Sequence, residues 1–258
     1  MTVWVDPPTW PAHGTVWSHL ISDSSLQELH GFASGAGIPM RSFEGDHYDI
    51  PAHRYADVVA AGASATSGKD LARRLAGSGL RFRKRKGERP LGRYADALVA
   101  VGGPHTLDVI GSRLEPPEGS GAAVVLVSDG ARMLLVLNDS RQGWSPPGGK
   151  REPPETIRQA AVRELAEETG LVAAPEELWP VGYERITIPR GQARGIWSDL
   201  SPNYIAVFAA PVRVAEPVGP QAKDVLEARW VPFEDARAQC GHEPWWLVIE
   251  PWIGEISA

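Results

Sequence analysis

Residues 149–171 read GKREPPETIRQAAVRELAEETGL and carry the clearest structural signal in this 258-residue chain. An apolar residue recurs at every fourth position from Ile157 to Leu165, a spacing that places these side chains on one face of a helix. Gly170 follows the last turn of this pattern and is typical of a helix end. The segment therefore predicts an amphipathic helix over about residues 155–169.

Three carboxylates project beside the apolar face of this helix. Glu164, Glu167 and Glu168 stand at positions i, i+3 and i+4, where like charges destabilise a helix by about 0.2–0.5 kcal/mol per pair. They also lie near the negative end of the helix dipole, which favours cations. A hard divalent cation resolves both conflicts, so the pattern predicts a Mg²⁺ site, with Mn²⁺ as a substitute.

The same segment resembles the Nudix box, G-x5-E-x7-R-E-U-x-E-E-x-G-U, in which U is apolar. All its fixed positions are filled, by Gly149, Glu155, Arg163, Glu164, Leu165, Glu167, Glu168, Gly170 and Leu171. The flanking runs, WSPPGG at 144–149 and EARWVP at 227–232, also agree. The resemblance covers about residues 120–240. It implies an α/β fold, an α/β/α sandwich with a mixed sheet.

The resemblance also implies an activity. Such a protein would be a hydrolase of phosphoric anhydride bonds, a Mg²⁺-dependent pyrophosphohydrolase that cleaves a nucleoside diphosphate linked to another moiety. The expected partner is therefore a nucleotide-derived small molecule. The alternative is a regulator that senses a nucleotide without hydrolysing it, with the N-terminal domain contacting a partner.

The resemblance assigns the metal ligands residue by residue. Glu164, Glu167 and Glu168 would bind the metal together with the backbone carbonyl of Gly149 or Gly148. All three glutamates also count among the expected catalytic residues, because the metal activates the attacking water.

Two further catalytic residues, Glu155 and Arg163, would form an ion pair that holds the loop of the box against its helix. A separate carboxylate could act as general base. The candidates are Asp224, Glu227, or either member of the 167/168 pair.

Residues 189–202 read PRGQARGIWSDLSP and join two predicted strands. Loops on a rigid scaffold often set specificity, so Arg190, Arg194 and Trp197 are the expected substrate contacts. The alternative is an ordinary surface loop.

Charge divides the chain, with +3 on residues 1–93 and −9 on the remainder. This division predicts two separately composed domains, and the acidic half argues against nucleic acid as a partner. The single cysteine, Cys240, indicates a reducing compartment. No apolar stretch approaches the roughly 20 residues of a membrane span, and the N-terminus lacks a signal-peptide pattern. We expect a cytoplasmic protein without a membrane partner; a homodimer is left open.

The expected domains are a small α/β domain of unknown function at 1–88, a linker at 89–118 and the Nudix domain at 119–258. The basic run at 81–93 also reads as linker. Within the first domain, the patterns predict a helix over 24–36 and a strand over 40–43.

Five of the seven histidines fall within residues 1–53, at His13, His19, His30, His47 and His53. If residues 45–50 are extended, His47 and Asp49 share one face of the strand. Imidazole and carboxylate groups are ligands for zinc or manganese. No tight metal-binding motif is present, so structural or surface histidines are the preferred interpretation and a metal site is the alternative.

Overall fold

The computed structural model describes residues 2–138, 143–211, 218–220, 222–223 and 225–256. It divides into two compact units, and the division falls between Arg85 and Lys86. The two units are described in turn.

The first unit is built on a five-stranded sheet with the order β2-β3-β1-β5 and with β4 paired to β3. Its elements are β1 (Val3–Val5), β2 (Trp10–Ala12), β3 (Thr15–Ser22), α1 (Leu26–Gly35), β4 (Tyr48–Pro51), α2 (Tyr55–Ala60), β5 (Ser64–Ala65) and α3 (Gly68–Gly77). The small α/β domain predicted from the sequence is confirmed.

Serine side chains begin two helices of this unit. Ser25 accepts a hydrogen bond from the backbone N–H of Glu28 at the start of α1, and Ser67 caps α3 in the same way. The predicted strand over residues 40–43 is wrong, because Met40–Ser42 forms a 3₁₀ turn. This turn closes when the Ser42 N–H donates to the carbonyl of Pro39, at 3.0 Å.

The second unit contains a six-stranded and a three-stranded sheet. Its elements are β6 (Arg89–Ala95), β7 (Thr106–Gly111), β8 (Ala122–Leu126), β9 (Arg132–Asn138), β10 (Gly143–Ser145), β11 (Gly148–Lys150), α4 (Ile157–Thr169), β12 (Trp179–Thr187), β13 (Asn203–Ala209), β14 (Val225–Pro232), α5 (Phe233–Cys240) and α6 (Trp246–Ile256). The orders are β11-β8-β13-β12-β7-β6 and β10-β9-β14. The larger sheet is mixed, since β13 runs parallel to β8 and antiparallel to β12.

Two apolar clusters hold these layers together. On one side, Leu165 of α4 packs with Val125 and Phe208 of the six-stranded sheet. On the other, Trp252 of α6 packs in a cluster with Val109. The predicted α/β/α architecture is confirmed, with α4 covering one face.

The linker predicted over residues 89–118 is wrong. Residues 89–95 and 106–111 are β6 and β7, and β7 lies between β6 and β12 in the sheet. Leu107, Val109 and Ile110 are fully buried, so this segment is part of the core. The glycines and proline at 102–104 end a short turn between the two strands, which is why the segment looked like a linker.

Arg93, the last residue of the basic run, is ion-paired within the sheet. Asp108 is 2% exposed and lies between two arginines on neighbouring strands. Its carboxylate accepts from Arg93 Nε at 2.6 Å and from Arg185 Nη2 at 2.6 Å. Opposite charges directly across strands stabilise that pairing.

Within the residues that the structure describes, no helix has the length and apolar character needed to cross a bilayer.

Candidate active site

Helix α4 is fixed at both ends by local sequence. Thr156 and Gln159 form a capping box, in which each side chain accepts a hydrogen bond from the other residue's backbone N–H. At the other end Gly170 adopts a left-handed conformation, with φ of 80°, and donates its N–H to Ala166. The predicted glutamates therefore occupy the last two turns of a well-defined helix.

Strand β11 brings two glycines against this helix and the neighbouring strand. A Cβ atom on Gly149 would lie 2.3 Å from Glu164 Oε1, and one on Gly148 would lie 2.2 Å from the carbonyl oxygen of Ala123. Real Cβ atoms do not approach other atoms so closely, so no side chain fits at Gly148, and a side chain at Gly149 would displace the Glu164 carboxylate. The carboxylate of Glu164 thus lies directly on the backbone of β11.

Glu168 is the most deeply placed of the three carboxylates, at 3% exposure. Its Oε2 accepts a hydrogen bond from the N–H of Gly148 at 2.8 Å, and its Oε1 lies 3.5 Å from Nδ2 of Asn138. By contrast, the side chain of Glu164 is 15% exposed and that of Glu167 is 51% exposed. The three carboxylates therefore range from buried, at Glu168, to half-exposed, at Glu167.

Arg163 connects the loop, the strand and the helix. Its guanidinium donates to both carboxylate oxygens of Glu155, at 3.1 and 2.8 Å, and to the carbonyl of Lys150 at 2.9 Å. The same guanidinium reaches Glu164 at 2.9 Å and Glu167 at 3.0 Å. These contacts raise the pKa of Arg163, and the hydrogen bonds from Arg163 lower the pKa of Glu155.

The expected pairing of Glu155 with Arg163 is therefore present. The contacts from Arg163 to the two metal-ligand candidates were not predicted. Their signal was available, because Arg163 and Glu167 stand at the i, i+4 spacing that supports ion pairs on a helix. The Asn138 contact had no such signal, since 30 residues separate Asn138 from Glu168.

The donor set suits a hard cation. Glu164, Glu167 and Glu168 offer carboxylate oxygens, and the bare backbone of Gly149 lies against the first of them. Mg²⁺ prefers oxygen ligands and commonly combines one or two carboxylates with water and substrate phosphates. These residues could hold Mg²⁺, and they offer no nitrogen or sulfur ligand.

Of the two general-base candidates outside helix α4, the structure describes only Glu227. Glu227 lies on β14 with its side chain 51% exposed, 3.9 Å from Arg229. Asp224 lies outside the residues that the structure describes. In the segment before β14, the N–H of Ala222 donates to the carbonyl of Glu167 at 2.8 Å, so this segment reaches the end of α4.

The three expected substrate contacts lie in the connection between β12 and β13. Arg190 and Arg194 are exposed, whereas Trp197 is half-buried and donates its indole N–H to the carbonyl of Ala100 at 3.0 Å. The Arg194 side chain lies beside Gly103. Trp197 and Arg194 therefore lie against the turn at residues 100–103.

Two family models match the chain. A family described as "NUDIX domain" matches residues 117–250, and one described as "Protein of unknown function (DUF4031)" matches residues 3–78. The first match contains Glu164, Glu167 and Glu168, which we call the carboxylate site. The second match contains most of the first unit.

Individual relatives match over shorter lengths. The Phosphatase NudJ of Escherichia coli strain K12 is 31% identical over 105 residues, which are 40% of this chain and 61% of that protein. The m7GpppN-mRNA hydrolase NUDT17 of Danio rerio is 32% identical over 92 residues, 34% of this chain and 27% of that one. The chain thus spans less than two thirds of either relative.

One solved structure is similar to part of the chain. The Bacillus subtilis pyrophosphohydrolase BsRppH matches with a TM-score of 0.44 and 18% identity, covering 64% of this chain and 98% of that one.

Proposed function

Because the chain belongs to the Nudix family, we propose that its second unit is a Mg²⁺-dependent pyrophosphohydrolase. Its substrate class is a nucleoside diphosphate linked to another moiety, and the bond cleaved is a phosphoric anhydride. One observation carries this proposal. Glu168 is held by the N–H of Gly148 at 2.8 Å while the carboxylate of Glu164 lies on the bare backbone of Gly149.

This arrangement keeps acidic side chains in fixed positions at a cost that a metal ion would offset. Glu164 and Glu167 share the single guanidinium of Arg163. Glu168 is buried and accepts neutral donors from Gly148 and Asn138. Three negative charges within two turns of one helix also repel one another, which is costly. A divalent cation held by the three glutamates and the Gly149 carbonyl would offset this repulsion.

When bound, Mg²⁺ would neutralise the diphosphate and lower the pKa of a coordinated water. The chain's own residues orient the metal ligands and accept a proton from the attacking water. Glu164 and Glu168 are fixed by β11, so they serve as positioning ligands. The carboxylate of Glu167 is half-exposed and faces the solvent that would supply the attacking water. We therefore assign Glu167 as the general base that accepts a proton from this water. Glu227 is the second candidate for that role.

The proposal is tested with the full chain in a Mg²⁺-dependent hydrolysis screen. The screen covers nucleotide sugars, dinucleoside polyphosphates, ADP-ribose and nucleoside triphosphates. Turnover should require Mg²⁺ or Mn²⁺, and Glu167→Gln and Glu168→Gln should each lower kcat by orders of magnitude. Glu176→Gln, a change at an exposed glutamate outside the site, should have wild-type turnover.

Two outcomes would contradict the proposal. Binding of nucleotides without release of phosphate products would favour the sensing regulator. Near-wild-type turnover in both site variants would show that these glutamates do not hold the metal.

A further inference from the structure

Two histidines and an aspartate converge in the first unit. Strands β3 and β4 are antiparallel and place His19 opposite Asp49 in register. His47 lies just before β4, with its Nε2 3.4 Å from Asp49 Oδ1. The imidazoles of His19 and His47 meet edge to face with 5.1 Å between ring centroids. One ligand atom from each of the three residues lies within 4.8 Å of the other two.

Each imidazole is held from behind by a buried carboxylate. Asp6 and Asp46 are both 2% exposed. Asp6 Oδ2 lies 3.1 Å from Nδ1 of His19, and Asp46 Oδ1 lies 2.5 Å from Nδ1 of His47. Contact with a carboxylate at Nδ1 fixes the orientation of a ring and directs its Nε2 outward, which is the arrangement found behind metal-binding histidines.

These carboxylates are themselves fixed by the backbone. The second oxygen of Asp6 accepts from the N–H of His19 at 2.5 Å. The second oxygen of Asp46 accepts from the N–H of Phe82 at 2.6 Å. Both imidazoles therefore stand on rigid supports, and their arrangement does not depend on flexible surface side chains.

We propose that His19, His47 and Asp49 bind a divalent transition-metal ion, with Zn²⁺ as the best match. Two imidazole nitrogens and one carboxylate oxygen suit Zn²⁺ and related ions better than Mg²⁺, which prefers oxygen alone. This site is independent of the carboxylate site in the second unit, and its ligand chemistry is different.

The site has room for an exogenous ligand. Three protein ligands leave a fourth position free in a tetrahedral Zn²⁺ complex, as in catalytic rather than structural zinc sites. The side chains of His19, His47 and Asp49 are 25%, 16% and 38% exposed, so solvent reaches the cluster. Trp10, 56% exposed, lies against His19 with ring centroids 5.4 Å apart. A water or a small anionic group could therefore complete the coordination.

The first test measures metal bound to the untagged full chain after dialysis against Mg²⁺ and trace Zn²⁺. Inductively coupled plasma analysis should give about one Zn²⁺ per chain. His19→Gln and Asp49→Asn should abolish this stoichiometric binding. The matched control is His53→Gln, which removes an exposed histidine of the same unit outside the cluster and should retain the metal.

Two further measurements keep the result interpretable. The same analysis on Glu167→Gln should still give about one Zn²⁺ per chain. This result would show that the Zn²⁺ is not bound by the glutamates of α4. Co²⁺ titration should give the visible absorption of a tetrahedral ion in wild type and not in Asp49→Asn. Circular dichroism of each variant shows whether loss of metal comes from unfolding.

A change at Asp6, one of the two carboxylates that support the imidazoles, should weaken Zn²⁺ binding without abolishing it. Asp6→Asn preserves the shape of the side chain and removes its charge, so Zn²⁺ affinity should fall by about 10- to 100-fold in a competition titration with a chelator. Absence of stoichiometric Zn²⁺ from the wild type would overturn the proposal. Equal metal content in folded Asp49→Asn and wild type would overturn it as well. Either result would make the cluster an ion-paired structural element.

Discussion

At the scale of single residues, Gly149 is the position where an added side chain would displace a carboxylate of the site. In Gly149→Ala the new methyl group would lie 2.3 Å from Glu164 Oε1, so that carboxylate must move. We expect only a small loss of stability, because the end of the Glu164 side chain can shift, but a large fall in turnover, because the shift moves a proposed metal ligand. Chemical denaturation and an activity assay measure the two effects.

Gly121→Ala is the matched control for this change. Gly121 has no atom within 4 Å of the Cβ position and lies just before β8. It should leave stability and turnover close to wild type. Equal behaviour of the two alanine variants would mean that Glu164 moves without consequence, against the role assigned to it.

Glu184 is a buried carboxyl outside the carboxylate site. It is 4% exposed, and its Oε1 has no hydrogen-bond partner among the described residues. Burial, with a smaller effect of the charge on Glu243, raises the pKa of Glu184 to about 7. The unfolded chain loses this proton near pH 4.5, whereas the folded chain keeps it until about pH 7. Folding stability therefore falls as pH rises through this interval.

Glu184→Gln should remove this pH dependence. The stability of the variant relative to wild type should increase between pH 5 and pH 8, by up to about 3 kcal/mol. Urea melts at both pH values measure the difference, with the exposed Glu176→Gln as control. A variant whose stability runs parallel to wild type across this range would show that Glu184 titrates normally.

At the scale of elements, Arg163 joins a loop, a strand and a helix. Lysine has a single ammonium group and cannot replace the fork of contacts to Glu155, Glu164, Glu167 and the Lys150 carbonyl. In Arg163→Lys we expect a stability loss of about 1 kcal/mol, because the group is partly exposed, and a fall in turnover. The loss of turnover follows from release of the loop and of Glu164.

Arg158→Lys is the matched control on the same helix. Arg158 donates to the carbonyls of Pro175 and Leu178 and pairs with Glu115, and among the described residues it makes no hydrogen bond to Glu164, Glu167 or Glu168. It should lose comparable stability and keep its turnover. If both lysine variants lose turnover alike, Arg163 acts only by stabilising the fold.

The elements that the sequence predicted correctly are those with local causes. Helix α4 has its cap, its apolar face and its glycine end within 15 residues, and the Glu155–Arg163 pair spans eight. The errors concern segments whose structure depends on distant partners. Strand β7 is read as linker because its neighbours, β6 and β12, are needed to define it. Residues 40–43 look like a strand, but the turn after Pro39 determines their conformation.

At the scale of the whole molecule, the boundary between the units predicts how the chain can be divided. A fragment of residues 86–258 keeps both sheets of the second unit and should fold and hydrolyse substrate. A fragment of residues 118–258 lacks β6 and β7, which leaves β12 without its partner from Gly182 to Thr187. We expect it to be unfolded or aggregated, because an exposed apolar strand edge promotes association.

Circular dichroism, gel filtration and turnover per mole compare these two fragments with the full chain. A folded and active 118–258 fragment would contradict the role given to β6 and β7. An inactive but folded 86–258 fragment would show that the first unit contributes to the chemistry.

The pairing of β7 with β12 also has a consequence for biosynthesis. Asp108 and Arg185 are 77 residues apart, and Glu88 contacts Tyr183 across 95 residues. At about 5–20 residues per second, a ribosome needs roughly 4–15 s to make the chain between Asp108 and Arg185. Helix α4 is translated during that interval, before the six-stranded sheet on which it packs is complete. Its apolar face can pack on β8 and β11, which are already made, but Phe208 of the same cluster emerges later, and such long-range closure makes folding slow. The nascent second unit therefore cannot complete its six-stranded sheet until β12 and β13 emerge.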